Sequence, residues 1–282
     1  MAGRLLVVGT PIGNLGDLTP RAADALRSAD LVVAEDTRMA RRLLTHLGAK
    51  RPTVAFNDHA PATRLPQLIA RLEAGATLAL TTDAGMPGVS DPGAQLVAAA
   101  REVGAAVEVL PGPSAVTAAI AAAGVESLGF VFGGFLPPRP ASARDTALRR
   151  LLEASGETAM PLVLFEAPHR IGALLASLEQ MVPHAEVAAC RELTKVHEQV
   201  LIGSPADVAA ALTEKRGEFT LVVSRIGRPA PAAAGAPLSV EGVVEAAFQA
   251  GLTHRSVVEL LRAAGIARRD AYRAAKRPLT AE

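Results

Sequence analysis

Three small-residue runs carry the residue types that let a backbone close around a ligand. The first is Val8-Gly9-Thr10-Pro11-Ile12-Gly13-Asn14-Leu15-Gly16-Asp17-Leu18-Thr19, the second Thr82-Asp83-Ala84-Gly85-Met86-Pro87-Gly88-Val89-Ser90-Asp91-Pro92-Gly93, and the third Leu110-Pro111-Gly112-Pro113-Ser114-Ala115. Each follows a short aliphatic run. Glycine there admits close backbone approach, and in open α/β sheets ligands collect at the carboxyl ends of strands. Any one run reads equally well as turn chemistry; three at strand ends read as one binding cleft. The spacing is not G-x-G-x-x-G, and no G-x-x-x-x-G-K-[ST] occurs, which weakens dinucleotide and P-loop readings.

Proton-transfer chemistry points to a polar run, Arg191 to Glu198. Only four lysines occur, Lys50, Lys195, Lys215 and Lys276, and Lys195 lies inside this run. A desolvated lysine beside cations can lose its proton near neutrality, so Lys195 is the first candidate base and Glu192 the second; the alternative is a surface ion pair with Glu192 or Glu198. His169 and Arg170, behind Pro168, are candidates for phosphate or substrate contact, with a helix start as the alternative. Glu35, Asp36, Thr37 and Arg38 either orient substrate or pair among themselves. Asn57, Asp58 and His59 are a substrate rim or an exposed turn. Cys190 follows Val187-Ala188-Ala189 and reads as a small buried hydrophobe rather than a nucleophile. The six histidines show no metal-ligand spacing, so no metal site is expected.

Positioning these groups requires an α/β scaffold. Aliphatic runs at 5–8, 31–34, 53–56, 77–81 and 107–110 alternate with Ala/Leu/Arg segments of helical period, the pattern of parallel strands with crossover helices. Thr19-Pro20 and Asp91-Pro92 read as helix starts, and an Ala-rich helix over 115–123 stops at Gly124. A second α/β segment has expected strands at 130–135, 161–165, 186–190, 199–202 and 219–224, and helices at 145–154, 171–181 and 206–215. The expected division is therefore 1–112 and 113–226 as two α/β domains, 227–239 as a Pro/Ala/Gly linker, and 240–282 as a helical basic extension. Residues 252–277 hold seven basic and two acidic side chains. Such a run is a solvated face or a nucleic-acid contact.

Composition narrows the classes further. The 282 residues are 50% hydrophobic and 20% charged, which excludes disorder as the main state, and a net charge of +1 excludes a whole-surface field drawing in nucleic acid. With a single cysteine, neither a disulfide framework nor a Cys-rich zinc site is expected. No apolar stretch of about 18 residues lacks Gly, Pro or charge, and the amino terminus lacks a signal-peptide core, so no membrane association and a cytoplasmic location are expected.

Several motifs also carry a family resemblance. The three loops, Ala34-Glu35-Asp36-Thr37-Arg38, Phe165-Glu166-Ala167-Pro168-His169-Arg170-Ile171 and Cys190-Arg191-Glu192-Leu193-Thr194-Lys195-Val196-His197-Glu198 together resemble the tetrapyrrole methylase superfamily. They are most similar to its ribosomal RNA branch, which methylates a cytidine 2′-oxygen of small-subunit rRNA. The resemblance implies two α/β domains with S-adenosylmethionine in the cleft between them, often within a homodimer. It puts cofactor contacts on Pro11, on Asp83, Ala84 and Gly85, on Ser114 and Ala115, and on Phe165 and Leu193. Substrate contacts would fall on Glu35, Arg38, His169 and Arg170, with small-subunit rRNA as partner. In the tetrapyrrole branch the second loop carries Gly-Asp-Pro where this chain has Ala84-Gly85-Met86, which favours the RNA branch. Two other expectations stay open: C-methylation of a tetrapyrrole, and a non-catalytic RNA-binding or assembly factor that keeps a cofactor pocket.

Overall fold

The computed structural model describes residues 2–56, 61–89, 93–226, 240–249 and 252–275. The chain divides into two units, Met1–Pro229 and Ala230–Glu282. Asn57, Asp58 and His59, the Asp91-Pro92 helix start, the expected linker 227–239, the expected break at Gly251, and Lys276 and Arg277 lie outside the described residues.

The first unit opens with β1 (Arg4–Val8), α1 (Pro20–Ser28), β2 (Leu31–Ala34), α2 (Thr37–His46), β3 (Thr53–Ala55), α3 (Pro61–Glu73), β4 (Thr77–Thr81), α4 (Ala94–Glu102) and β5 (Ala106–Leu110). The strands form one parallel sheet in the order β3-β2-β4-β1-β5. The apolar centre of β1, β2 and β4 has a simple cause, since helices cover both faces there. Leu6, Val8, Val32 and Ala79 pack under α1 and α2, while Leu5, Val7, Val33, Leu78 and Leu80 pack under α3 and α4. Each fully buried Leu or Val contributes about 1.5–3 kcal/mol relative to exposure. Thr19 caps α1 through its hydroxyl, which accepts from the Ala22 amide, with Pro20 at the first helical position.

The chain then passes through α5 (Ala115–Ala123), β6 (Val131–Phe135), α6 (Ala141–Thr158), β7 (Leu162–Glu166), α7 (Ile171–Met181), β8 (Glu186–Arg191), β9 (Gln199–Gly203), α8 (Pro205–Ala211) and β10 (Phe219–Ser224). These strands form a second sheet, order β6-β7-β10-β8-β9. Only β6 and β7 are parallel; β10 runs antiparallel to β7 and β8, and β8 antiparallel to β9. The all-parallel pattern expected from alternating runs therefore fails here. The physical reason is length, because the seven residues between β8 and β9 cannot hold a crossover, which needs a dozen or more.

One face of this sheet packs Leu162, Leu164, Val187, Leu221 and Val223 against α6, α7 and α8. The other packs Val163, Ala188, Cys190 and Val222 against α5 and against Ile12 from the first loop. Helix α5 thus leaves the end of the first sheet and covers the second. Its stop at Gly124 is left-handed, φ +63°. Helix α8 is shorter than the expected 206–215: a capping box between Ser204 and Asp207 fixes its start, and the chain leaves helical geometry at Leu212. Helix α6 is longer than 145–154, running to Thr158.

The second unit holds α9 (Val240–Gln249), α10 (His254–Ala263) and α11 (Arg268–Ala274). Val244, Ala247, Val257, Val258, Leu261 and Ala271 form its core. Thr253 caps α10, and Gly265 turns the chain at φ +86°. Among the described residues, no helix is long and apolar enough to cross a membrane.

Candidate active site

The sheet order brings the three small-residue loops together, because β4, β1 and β5 are neighbours and each loop leaves a carboxyl end. Thr10 and Gly85 exchange two backbone hydrogen bonds, 2.8 and 3.1 Å, tying the first loop to the second. The Gly9 amide donates to the Leu110 carbonyl at 3.0 Å, tying the first to the third. A Cβ on Gly9 would stand 2.6 Å from the Gly112 nitrogen and 2.6 Å from Met86 Sδ, so only glycine permits this approach.

Beneath the loops lies a cavity of about 390 Å³. Its walls come from both sheets of the first unit: Ile12, Asp83, Ala84 and Gly85 on one side, Ser114 and Ala115 at the start of α5, and Phe135, Phe165, Leu193 and Phe219 on the other. Among the described residues, the charged ones lining it are Glu35, Asp83, Glu166 and Glu218, with no Lys, Arg or His. A cation is favoured in such a space and a phosphate is not.

Each carboxylate has a definite anchor. Glu35 Oε2 accepts from the Thr82 hydroxyl at 2.9 Å, and Asp83 Oδ1 accepts from the Asp36 amide at 3.1 Å. Partial desolvation, then the neighbouring Glu35 charge, pushes the Asp83 carboxyl above its ordinary value. Glu166 is buried, with its Oε1 accepting from the Ala167 amide at 2.8 Å and from the Arg170 guanidinium. This pair fixes the turn that presents Ala167 and Pro168 to the cavity.

Of the expected cofactor residues, Asp83, Ala84, Gly85, Ser114, Ala115, Phe165 and Leu193 all line the cavity. Pro11 does not; the next residue, Ile12, does. Of the expected substrate residues only Glu35 lines it. Arg38 is 84% exposed in its side chain and grips Asp36, 2.6 and 3.0 Å, while Asp36 caps α2. His169 is exposed. Arg170 is engaged internally, with Glu166 and with the Leu136 carbonyl at 3.3 Å.

Lys195 forms the ion pair with Glu192 that stood as the alternative to a base, and its second partner is Glu218 rather than Glu198. Lys195 Nζ stands 2.7 Å from Glu192 Oε1 and 3.0 Å from Glu218 Oε2. Burial by itself would lower its pKa, but the hydrogen bonds from these two carboxylates outweigh it and raise the pKa, so the group is an ammonium. Burial likewise pushes Glu192 up, and Lys195 together with the Glu218 amide pulls it below its ordinary value. Neither Lys195 nor Glu192 lines the cavity; Glu218, which touches both, does.

Sequence reasoning missed Met86, Phe135, Glu218, Phe219 and Thr220 in the lining. Residues 218–220 stand at the start of β10, and nothing in its mostly apolar sequence marks which end faces a cavity. Cys190 also borders the cavity, yet it is 1% exposed and burial pushes its thiol up to about 11.

Known proteins resemble this chain in sequence and in fold. The chain is 41% identical over 225 residues to ribosomal RNA small subunit methyltransferase I of Synechocystis, covering 79% of each chain. It is 38% identical to the Thermotoga maritima protein of the same name, covering 79% of this chain and 98% of that one. Among solved structures, uroporphyrin-III-C-methyltransferase from Thermus thermophilus superposes with TM-score 0.55 at 22% identity, over 79% of this chain and 95% of that one. A diphthine synthase superposes with TM-score 0.62 at 18% identity, over 79% and 90%; both likenesses concern the fold. The model of the Tetrapyrrole (Corrin/Porphyrin) Methylases matches residues 4–209, from the first strand into α8. With the first sheet, four of the five strands of the second and the three converging loops inside that span, the chain belongs to the tetrapyrrole methylase family.

Proposed function

We propose that this chain transfers a methyl group from S-adenosylmethionine to the ribose 2′-oxygen of a cytidine in small-subunit ribosomal RNA. The observation that carries the reading is a cavity at the meeting point of the three loops whose charged lining, among the described residues, is acidic, in a chain about 40% identical to proteins named for small-subunit rRNA methylation. When bound, S-adenosylmethionine supplies a methyl group on a cationic sulfur. Asp83, Ala84 and Gly85, Ser114 and Ala115, and Phe165 and Leu193 would hold it, a reading supported by their lining a cavity whose volume and acidic charge suit a small cation with apolar parts. The departure from Gly-Asp-Pro in the second loop supports an RNA rather than a tetrapyrrole acceptor.

The residues divide the remaining work. Apolar walls exclude water, which strengthens the pull of Glu35 and Asp83 on a cation. The same charges keep RNA phosphates at the rim, where Arg38 and His169 are exposed. Lys195, as an ammonium held by Glu192 and Glu218, is suited to stabilise negative charge developing on the acceptor oxygen rather than to take its proton. The basic extension adds a second contact with RNA, and a homodimer is the expected assembly.

Purified protein incubated with labelled S-adenosylmethionine and unmodified small subunits should label one ribose, located by nuclease mapping. Absence of transfer to RNA would falsify the reading; donor binding without any transfer would identify a binding module instead.

A further inference from the structure

An aromatic ring with much of its surface in solvent lines the cavity. Phe135 is 56% exposed and lines the cavity, in a chain with seven Phe, one Tyr and no Trp. Its ring lies 5.4 Å from that of Phe165 at 54°, and Phe132 meets Phe165 edge-on at 5.2 Å and 74°. Three of the eight aromatic side chains therefore gather at one place. The outermost shows much of its surface to solvent, which costs hydrophobic free energy that burial would recover.

The backbone places this ring by a specific device. In a regular strand Phe132 and Phe135 would point to opposite faces. Here β6 carries a bulge, because Phe132 pairs with Val163 and Gly134 with Leu164, leaving Gly133 as an extra residue. The count shifts by one, and Phe135 joins Phe132 on the cavity side. Two glycines make this possible. A Cβ at Gly133 would press to 2.6 Å from Leu151 Cδ1 and 2.7 Å from Leu164 Cδ2, and Gly134 sits at φ +58°.

We infer that Phe135 is the stacking platform for the base of the nucleotide to be methylated. An uncharged π-face beside acidic walls accepts a nucleobase and offers nothing to a phosphate. The inference rests on the proposed RNA reaction and adds the residue that holds its acceptor.

The test compares Phe135→Leu and Phe135→Trp with wild type in three measurements: filter-binding affinity for unmodified small subunits, kcat and KM for transfer to them, and calorimetric affinity for S-adenosylmethionine. Phe135→Leu is expected to weaken subunit binding and raise KM by roughly five- to a hundredfold. Its donor affinity should stay within about twofold, and Phe135→Trp should restore RNA binding. Unchanged subunit affinity and KM in Phe135→Leu overturns the inference. So does a loss confined to donor affinity, which would assign the ring to the donor. Subunit binding is read without turnover, so a wild-type enzyme that failed to methylate RNA would defeat the proposed reaction while the stacking measurement still gave its own answer.

Discussion

Thr10 and Gly85 face each other across the sheet end as an isolated antiparallel bridge, each amide bonded to the other's carbonyl. Gly85 adopts φ +81° to do so, a conformation that costs an L-residue about 1–2 kcal/mol. Gly85→Ala should therefore lose about that much stability and weaken S-adenosylmethionine binding, because the bridge sets the distance between the first two loops. Thermal melting and calorimetry on the same preparation check both effects, and wild-type values in each would show that the bridge positions nothing.

Replacing Lys195 by Met removes one cation from between two carboxylates. The raised lysine pKa means that its contribution is complete below the ordinary 10.5 and is lost only at higher pH. The lowered Glu192 pKa means that the partner's contribution is present above 4.5 and disappears as pH falls through the depressed value. Wild type should thus exceed Lys195→Met in stability by about 1 kcal/mol on a plateau between those limits, narrowing in acid. Denaturant midpoints measured from acid to neutral pH read this directly. Turnover of the same variant on small subunits reports on chemistry, and a near-normal kcat would remove Lys195 from the reaction.

Asp83 has the opposite sign. Its folded-state pKa lies above the ordinary 3.8, so the folded protein holds the proton more tightly and is penalised as pH rises past that value. Asp83→Asn, which keeps an oxygen to accept from the Asp36 amide, should be at least as stable as wild type at neutral pH. Its advantage should shrink toward pH 3. The same substitution removes a negative charge from the cavity and should weaken a cationic ligand by about 1 kcal/mol, some fivefold. Donor affinity equal to wild type would place Asp83 outside the binding site.

Cys190 should be inert. With its pKa pushed up to about 11 and its side chain buried, about one thiol in a thousand is ionised at pH 8. Native protein treated with iodoacetamide at that pH should remain unmodified by mass spectrometry, and the same protein in denaturant should gain one adduct. Rapid labelling of the native form would contradict the burial.

Strands and loop positions were legible because their causes are local. The β2 run is apolar at every position and the β4 run at its three central ones, as double coverage by helices demands, and Thr19-Pro20 signals its helix with both a cap and a proline. The convergence of the loops followed from position at strand ends. What escaped depends on pairing between distant segments. The Lys195–Glu192 pair was open to a reading of one run, but Glu218 reaches Lys195 from 23 residues away. The Gly133 bulge is likewise invisible until β6 is laid beside β7, so Phe135 carried no signal beyond two neighbouring glycines.

Ser114 and Ala115 begin α5, which leaves the end of the first sheet to pack on the second, and they are also part of the cavity wall. Any small molecule seated there bridges both layers at the point where the chain passes between them. Its binding free energy is then shared by the two halves, so saturation should move their melting together, as a single steeper transition, instead of protecting one half alone.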